Sequence, residues 1–287
     1  MCKYIMILFS SDPYPDLYNA LFAYDVGYDL VIPVPNVTSK NFEEIFIEAY
    51  FGRRLECSKN TVFFLNIRPQ SELEKVIDIL NNLRSKQITP TVIIDPRGAY
   101  TTAAAIAYIL QKAVNNLALN LSSLSMTVLG GAGNVGATVV KLLCEKLKET
   151  IVIDKDKLRI EDLKKDLQNA SCNIRFIQTS DKADFVEYCR NADIVVSTGP
   201  PKVNFLSIND LAESKCKIAI DINAVPPSGV LGIKPDDNNT QREGISCFGY
   251  KIVGKIKRKI QEEILIKAKA TLGRIFDLNE IARLDIE

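Results

Sequence analysis

The stretch MTVLGGAGNVGATVVKLLCEKLKETIVID, Met126–Asp154, decides how this chain is read. A short apolar run, Met126–Leu129, turns through GGAGNVG. It gives way to apolar residues at helical spacing: Val135, Val139, Leu142, Leu143 and Leu147. A second apolar run, Ile151–Ile153, ends in Asp154. The order is strand, glycine turn, helix, strand, which is one βαβ unit. Gly131, Gly133 and Gly136 fill the frame G-x-G-x-x-G. The first admits the tight turn, the second lets a pyrophosphate approach the backbone, and the third lets helix pack on strand. Gly131, Gly133, Asn134, Val135 and Gly136 are therefore the expected phosphate cradle. They open a helix whose free N–H groups favour an anion. A glycine frame alone is weak, but here a strand precedes it, a helix follows it, and an acid stands 18 residues past Gly136.

That acid, Asp154, bears on which dinucleotide binds. A carboxylate ending the second strand accepts hydrogen bonds from ribose hydroxyls and repels a 2′-phosphate, which favours NAD. Lys155 follows at once and can pair with a 2′-phosphate, so the margin over NADP is narrow.

The remaining composition narrows the chemistry. At 287 residues the chain is long enough for two domains, and 47% apolar content supports their cores. A net charge of +1 gives no bulk argument for nucleic acid or an acidic membrane. The opening MCKYIMILF lacks a small-residue cleavage site and reads as a buried first strand. No apolar run approaches the ~18 residues of a membrane span. The seven cysteines form no C-x-x-C, so free buried thiols in a reducing cytoplasm are expected. The chain has no histidine, which excludes a Ser-His-Asp triad, a Cys-His pair and a histidine-ligated metal. No metal site is expected.

Before the glycine stretch, strands are expected at residues 4–9, 61–65 and 91–94. Helices are expected at 41–50 and 71–83, with Ser71 as N-cap and Glu74 completing a capping box. Ser10–Thr38 reads as a loop, and a small-residue helix starts near Thr102. After Asp154 come helix 159–168, strand 173–177, helix 181–190, and strands 194–197 and 218–221. This alternation implies an α/β fold with largely parallel sheets. In a doubly wound sheet ligands sit at the carboxyl ends of strands, so Thr198, Gly199, Pro200, Asn223 and Ala224 are candidates to line a nicotinamide cleft. Val225–Asn239 reads as a surface loop and Gly254–Leu284 as one or two amphipathic helices.

Five separated blocks resemble one family: PNVT at Pro35–Thr38, TTAAA at Thr101–Ala105, GGAGNVG, DINAVPPSGVLG at Asp221–Gly232, and FGYKIVGKIKRKI at Phe248–Ile260. They are similar to the NAD(P)-dependent methylene-tetrahydromethanopterin dehydrogenases, which are related in fold to the methylenetetrahydrofolate dehydrogenases. The resemblance implies two α/β domains, the second a Rossmann-type doubly wound parallel sheet, with a C-terminal helical tail packing back on the first. It places a pterin-binding domain at 1–105, joined by tail 255–287, and the dinucleotide domain at 106–254. It implies a cytoplasmic enzyme of one-carbon metabolism, a reduced pterin substrate and a small homo-oligomer. On matching positions, Lys257 falls at the pterin as an orienting group, Thr101 and Thr102 open the interdomain helix, and Asp12, Asp25 and Asp29 stand near the family's N-terminal acids. The alternatives are a methylenetetrahydrofolate dehydrogenase and a non-catalytic dinucleotide sensor. No Y-x-x-x-K pair precedes the interdomain helix, which argues against a cyclohydrolase.

Overall fold

The computed structural model describes residues 2–284. Residues 1 and 285–287, the outer ends of the expected first domain and tail, lie outside the described residues. The chain divides into two compact units. One runs up to Thr101 and resumes at Arg258; the other is Thr102–Lys257.

The first unit contains β1 (Ile5–Ser10), α1 (Leu17–Asp25), β2 (Leu30–Val34), α2 (Phe42–Phe51), α3 (Leu55–Ser58), β3 (Thr61–Asn66), α4 (Gln70–Ser85) and β4 (Thr91–Ile94). Helix α5 (Ala99–Asn116) leads out of it. The second holds β5 (Ser125–Leu129), α6 (Asn134–Leu143), β6 (Glu149–Asp154), α7 (Lys157–Asp166), β7 (Ile174–Gln178), α8 (Lys182–Arg190), β8 (Ile194–Ser197), β9 (Leu206–Ser207), β10 (Ile218–Asp221), β11 (Val230–Leu231), β12 (Asn238–Arg242) and β13 (Ile245–Phe248). Helix α9 (Tyr250–Ala270) returns the chain to the first unit, which β14 (Ile275–Phe276) and α10 (Leu278–Ala282) complete.

In the first unit a parallel sheet runs β14-β4-β3-β1-β2. Its central strand β3, TVFFLN, is buried throughout, as an apolar run covered on both faces must be. Helix α4 presents Leu73, Val76, Leu80 and Leu83 at i, i+3 and i+4 spacing, and all four are buried against the sheet. The part of α9 from Arg258 packs here, as the resemblance implies. Tyr28 Oη donates to Leu265 O at 3.0 Å, Lys269 Nζ to Val26 O at 2.9 Å, and the Arg258 guanidinium covers the Phe22 ring.

In the second unit the sheet order is β12-β13-β10-β8-β5-β6-β7, parallel except for the β12–β13 edge. Read from β7, this is the doubly wound order, with its reversal between β5 and β8. In register, Leu129 of β5 pairs with Ile153 of β6 and with Ser197 of β8. The glycine turn, Asp154 and Thr198 therefore emerge at one carboxyl edge.

Several expectations are corrected. Ser10–Thr38 is no loop, since it contains α1 and β2. Its pattern hides both: α1 exposes Leu17, Leu21 and Tyr24, and β2 is an edge strand interrupted by Pro33. Helix α4 begins at Gln70 behind Pro69, with no side-chain cap, and Glu74 accepts from Gln70 Nε2 instead. Val225–Asn239 is no surface loop, because Val230, Ile233 and Asp237 are buried and β11 pairs with β9. The tail holds a strand, β14, beside its helices, and β12 and β13 carry no sequence signal strong enough to separate them from loops. Four cysteines are not free thiols: Cys2 pairs with Cys57 and Cys144 with Cys172. Cys189, Cys216 and Cys247 are free and buried. Among the described residues no helix is long and apolar enough to cross a membrane, and no cluster of acids and cysteines is placed to hold a metal.

Candidate functional site

The glycine turn of the second unit is built too tightly for side chains. A Cβ on Gly131 would lie 2.8 Å from Val128 O and 2.9 Å from Val152 Cγ1. One on Gly136 would lie 2.6 Å from both Gly130 O and Thr198 Oγ1. Gly130, at φ +69°, sits against the backbone of Gly199, and Gly199 in turn lies beneath the Phe205 ring. Gly133 caps α6 without a side chain. The bare backbone and the helix start, with Asn134 exposed and Val135 half-buried, leave room for a pyrophosphate.

Asp154 stands beside this turn. Its Oδ2 accepts from Ala132 N at 3.1 Å and its Oδ1 from Asp156 N at 3.0 Å. Each oxygen keeps a lone pair for a ribose hydroxyl. Lys155 is exposed on the following turn, and Asp156 is spent capping α7.

The strand-end candidates divide. Thr198 Oγ1 donates to Leu129 O at 3.0 Å, so it ties β8 to the glycine turn. Asn223 is buried and ties its own loop to the one after β8: it donates to Pro227 O and Pro200 O and accepts from Val225 N. Pro200 and Ala224 are exposed. Asn223 and Ala224 line a hollow of about 310 Å³ with Asp221, Pro227, Ser228 and Tyr250. Asp221 is buried at its base and accepts from Asn223 N and Val230 N; burial pushes its carboxyl above the usual range despite those bonds.

In the first unit the expected acids are not together. Asp12 follows the carboxyl end of β1, where Arg68 and Arg97 converge on it. Burial raises its carboxyl, but the two guanidiniums outweigh that and hold it below its ordinary value. Asp25 ends α1 and is exposed. Asp29 accepts from Tyr4 N at 2.7 Å, at the opposite, amino end of β1. Thr101 is fully buried, its Oγ1 donating to Asp95 Oδ2 at 2.7 Å, whereas Thr102 is half-buried. Lys257 is half-buried on α9, while Lys255 and Lys259 are exposed.

Sequence reasoning missed Asp16, Asn66, Arg68, Arg97 and Gln261. Asp16 caps α1 and accepts from Asn66 Nδ2 at 2.7 Å, and Gln261 Nε2 donates to Asn19 Oδ1. Their signal was position: Arg68 and Arg97 each follow a strand at its carboxyl end.

Residues 126–234 match the model of the saccharopine dehydrogenase NADP-binding domain. The chain is 25% identical over 289 residues to the bifunctional protein MdtA of Methylorubrum extorquens, covering 99% of this chain and 98% of that one. It is 23% identical to an NAD(P)-dependent methylenetetrahydromethanopterin dehydrogenase of the same organism, covering 75% and 74%. The likeness to MdtA spans the whole chain, and the likeness to the dehydrogenase three quarters of it. The glycine cradle and these matches together support an NAD(P)-dependent dehydrogenase. Among solved structures, a chorismate mutase/shikimate 5-dehydrogenase fusion protein from Clostridium acetobutylicum superposes at a TM-score of 0.50, 12% identical, covering 93% and 92%. Ornithine transcarbamoylase from Giardia lamblia superposes at 0.52, 10% identical, covering 93% and 85%. These two likenesses concern the fold alone.

Proposed function

We propose that this chain oxidises methylene-tetrahydromethanopterin to the methenyl form, passing a hydride to NAD(P), with NAD the favoured cofactor. The observation that carries the cofactor half is the cradle of Gly131, Gly133 and Gly136 beside the Asp154 carboxylate. The substrate half is supported by the named activity of the 23% identical relative and by the matching sequence blocks.

The reaction suits a protein without histidine. Removing a hydride from a methylene bridge between two nitrogens leaves a cation that those nitrogens stabilise, and no proton moves at the reacting carbon. The bound dinucleotide supplies the hydride acceptor. The chain's own residues bind and orient. The glycine turn and the start of α6 hold the pyrophosphate, and Asp154 takes the ribose hydroxyls. We assign Lys257 to orienting the pterin and not to proton transfer. Methylene-tetrahydrofolate as a second substrate, a cytoplasmic location and a small homo-oligomer belong to the same reading.

The test is formation of NADH or NADPH by purified protein given methylene-tetrahydromethanopterin or methylene-tetrahydrofolate, each with NAD and with NADP. Turnover of the methanopterin compound, faster with NAD, is the expected result. Turnover of the folate compound alone would replace the substrate assignment. Cofactor binding with no turnover would replace the enzyme by a sensor.

A further inference from the structure

Asp12 has no free carboxylate to offer a ligand. Arg68 donates to its Oδ1 through Nε at 3.0 Å and through Nη2, and Arg97 donates to its Oδ2 through Nε at 3.4 Å and Nη2 at 3.1 Å. The acid that the sequence offered as a substrate contact is thus enclosed by two cations. Each guanidinium has five N–H donors and spends two on Asp12, so three on each remain. The two side chains are 45% and 52% exposed, against 22% for the carboxylate between them. Within this trio two positive charges meet one negative charge, and the two guanidiniums are the more exposed members.

The position is built. Arg68 follows β3 and Arg97 follows β4, both at the carboxyl edge of a parallel sheet, where open α/β sheets take their ligands. Arg97 holds φ +53°, which a residue with a side chain adopts reluctantly. Buried Asn66 keeps it there, accepting from Arg97 N at 2.8 Å. The neighbouring carboxylates are engaged elsewhere: Asp16 accepts from Asn19 and Asn66, and Asp95 from the first amides of α5 and from Thr101. Helix α4 starts directly behind Arg68 without a side-chain cap, adding its positive end to the same edge.

We propose that Arg68 and Arg97, pinned by Asp12, form an oxyanion subsite that takes the carboxylate or phosphate tail of the substrate. Asp12 is then a positioning residue and not a pterin contact. The proposal rests on the pterin reading for its ligand, but its site stands on this geometry alone. Planar guanidiniums suit both oxyanions, each taken by paired N–H donors.

The test uses the full chain. KM is measured for methylene-tetrahydrofolate and for a synthetic analogue that keeps the pterin and arylamine nitrogens but lacks the acidic tail. Arg68→Gln and Arg97→Gln each raise KM for the tailed compound about tenfold and leave the tail-less compound and kcat unchanged. Arg97→Lys, which keeps the charge and loses the fork, recovers part of the discrimination. Independently of turnover, glutarate and inorganic phosphate are added at matched ionic strength while the melting temperature is followed. Whichever oxyanion fits raises it for the wild type and not for the double variant. Protein that turns over no pterin but shows this shift keeps the subsite and loses the pterin reading. Equal KM changes for both compounds, as a purely structural clamp would give, overturn the proposal. So does the absence of any oxyanion-specific shift.

Discussion

Asp154 holds Ala132: the carboxylate that ends β6 accepts the backbone N–H of the glycine turn at 3.1 Å. One residue thus shapes the glycine turn and, in the proposed reading, takes the adenosine ribose. Asp154→Ala removes both contributions. NAD affinity is expected to fall by about tenfold or more, the scale of losing a charge-assisted hydrogen bond. Titration of NADH fluorescence measures it, and a variant that bound NAD more tightly would refute the assignment.

Gly136→Ala is expected to abolish saturable cofactor binding. The new methyl group would sit 2.6 Å from Gly130 O, a backbone atom that cannot swing aside. Gly254→Ala is the control. A Cβ there meets nothing within 4 Å and the site is inside α9, so the variant should gain up to about 1 kcal/mol in denaturant unfolding.

Acid should unfold the protein through specific pairs. Burial raises the Asp237 carboxyl, but its bonds from Arg242, at 2.6 and 2.7 Å, outweigh burial and hold it below its ordinary value, as Arg68 and Arg97 do for Asp12. A depressed carboxyl stabilises the fold above its unfolded value, and that stability is lost as pH falls through the folded one. Stability is therefore expected to be level near neutrality and to fall below about pH 4. Arg242→Ala, which strands Asp237 in a buried position, should cost about 2 kcal/mol near neutrality and make the acid limb shallower. Urea unfolding across pH checks both.

Lys257→Ala is expected to lose most of the turnover, whereas Lys259→Ala, exposed on the same helix, stays near wild type. Steady-state rates decide between this and a shared surface role. Equal, mild losses would remove Lys257 from the site.

How much of this was legible follows the physics of each signal. The βαβ unit was readable because its glycines, its helical spacing and its strand-end acid all lie within Met126–Asp154. Edge elements were not. Helix α1 turns Leu17, Leu21 and Tyr24 outward, so its apolar pattern marks no buried stripe, and β14 is a two-residue strand that exists only by pairing with β4. The disulfides join cysteines 55 and 28 residues apart, which no local spacing announces. At the first unit's carboxyl edge, Asp12 was legible and its partners were not, since only the fold brings Arg68 and Arg97 around it.

In the proposed reaction the methylene carbon gives its hydride to the nicotinamide. The direct measurement supplies methylene-tetrahydromethanopterin carrying two deuteriums on that carbon and analyses the reduced cofactor by mass spectrometry. One deuterium is expected in each NADH or NADPH formed. Reduced cofactor without deuterium, or none formed at all, would contradict that reaction.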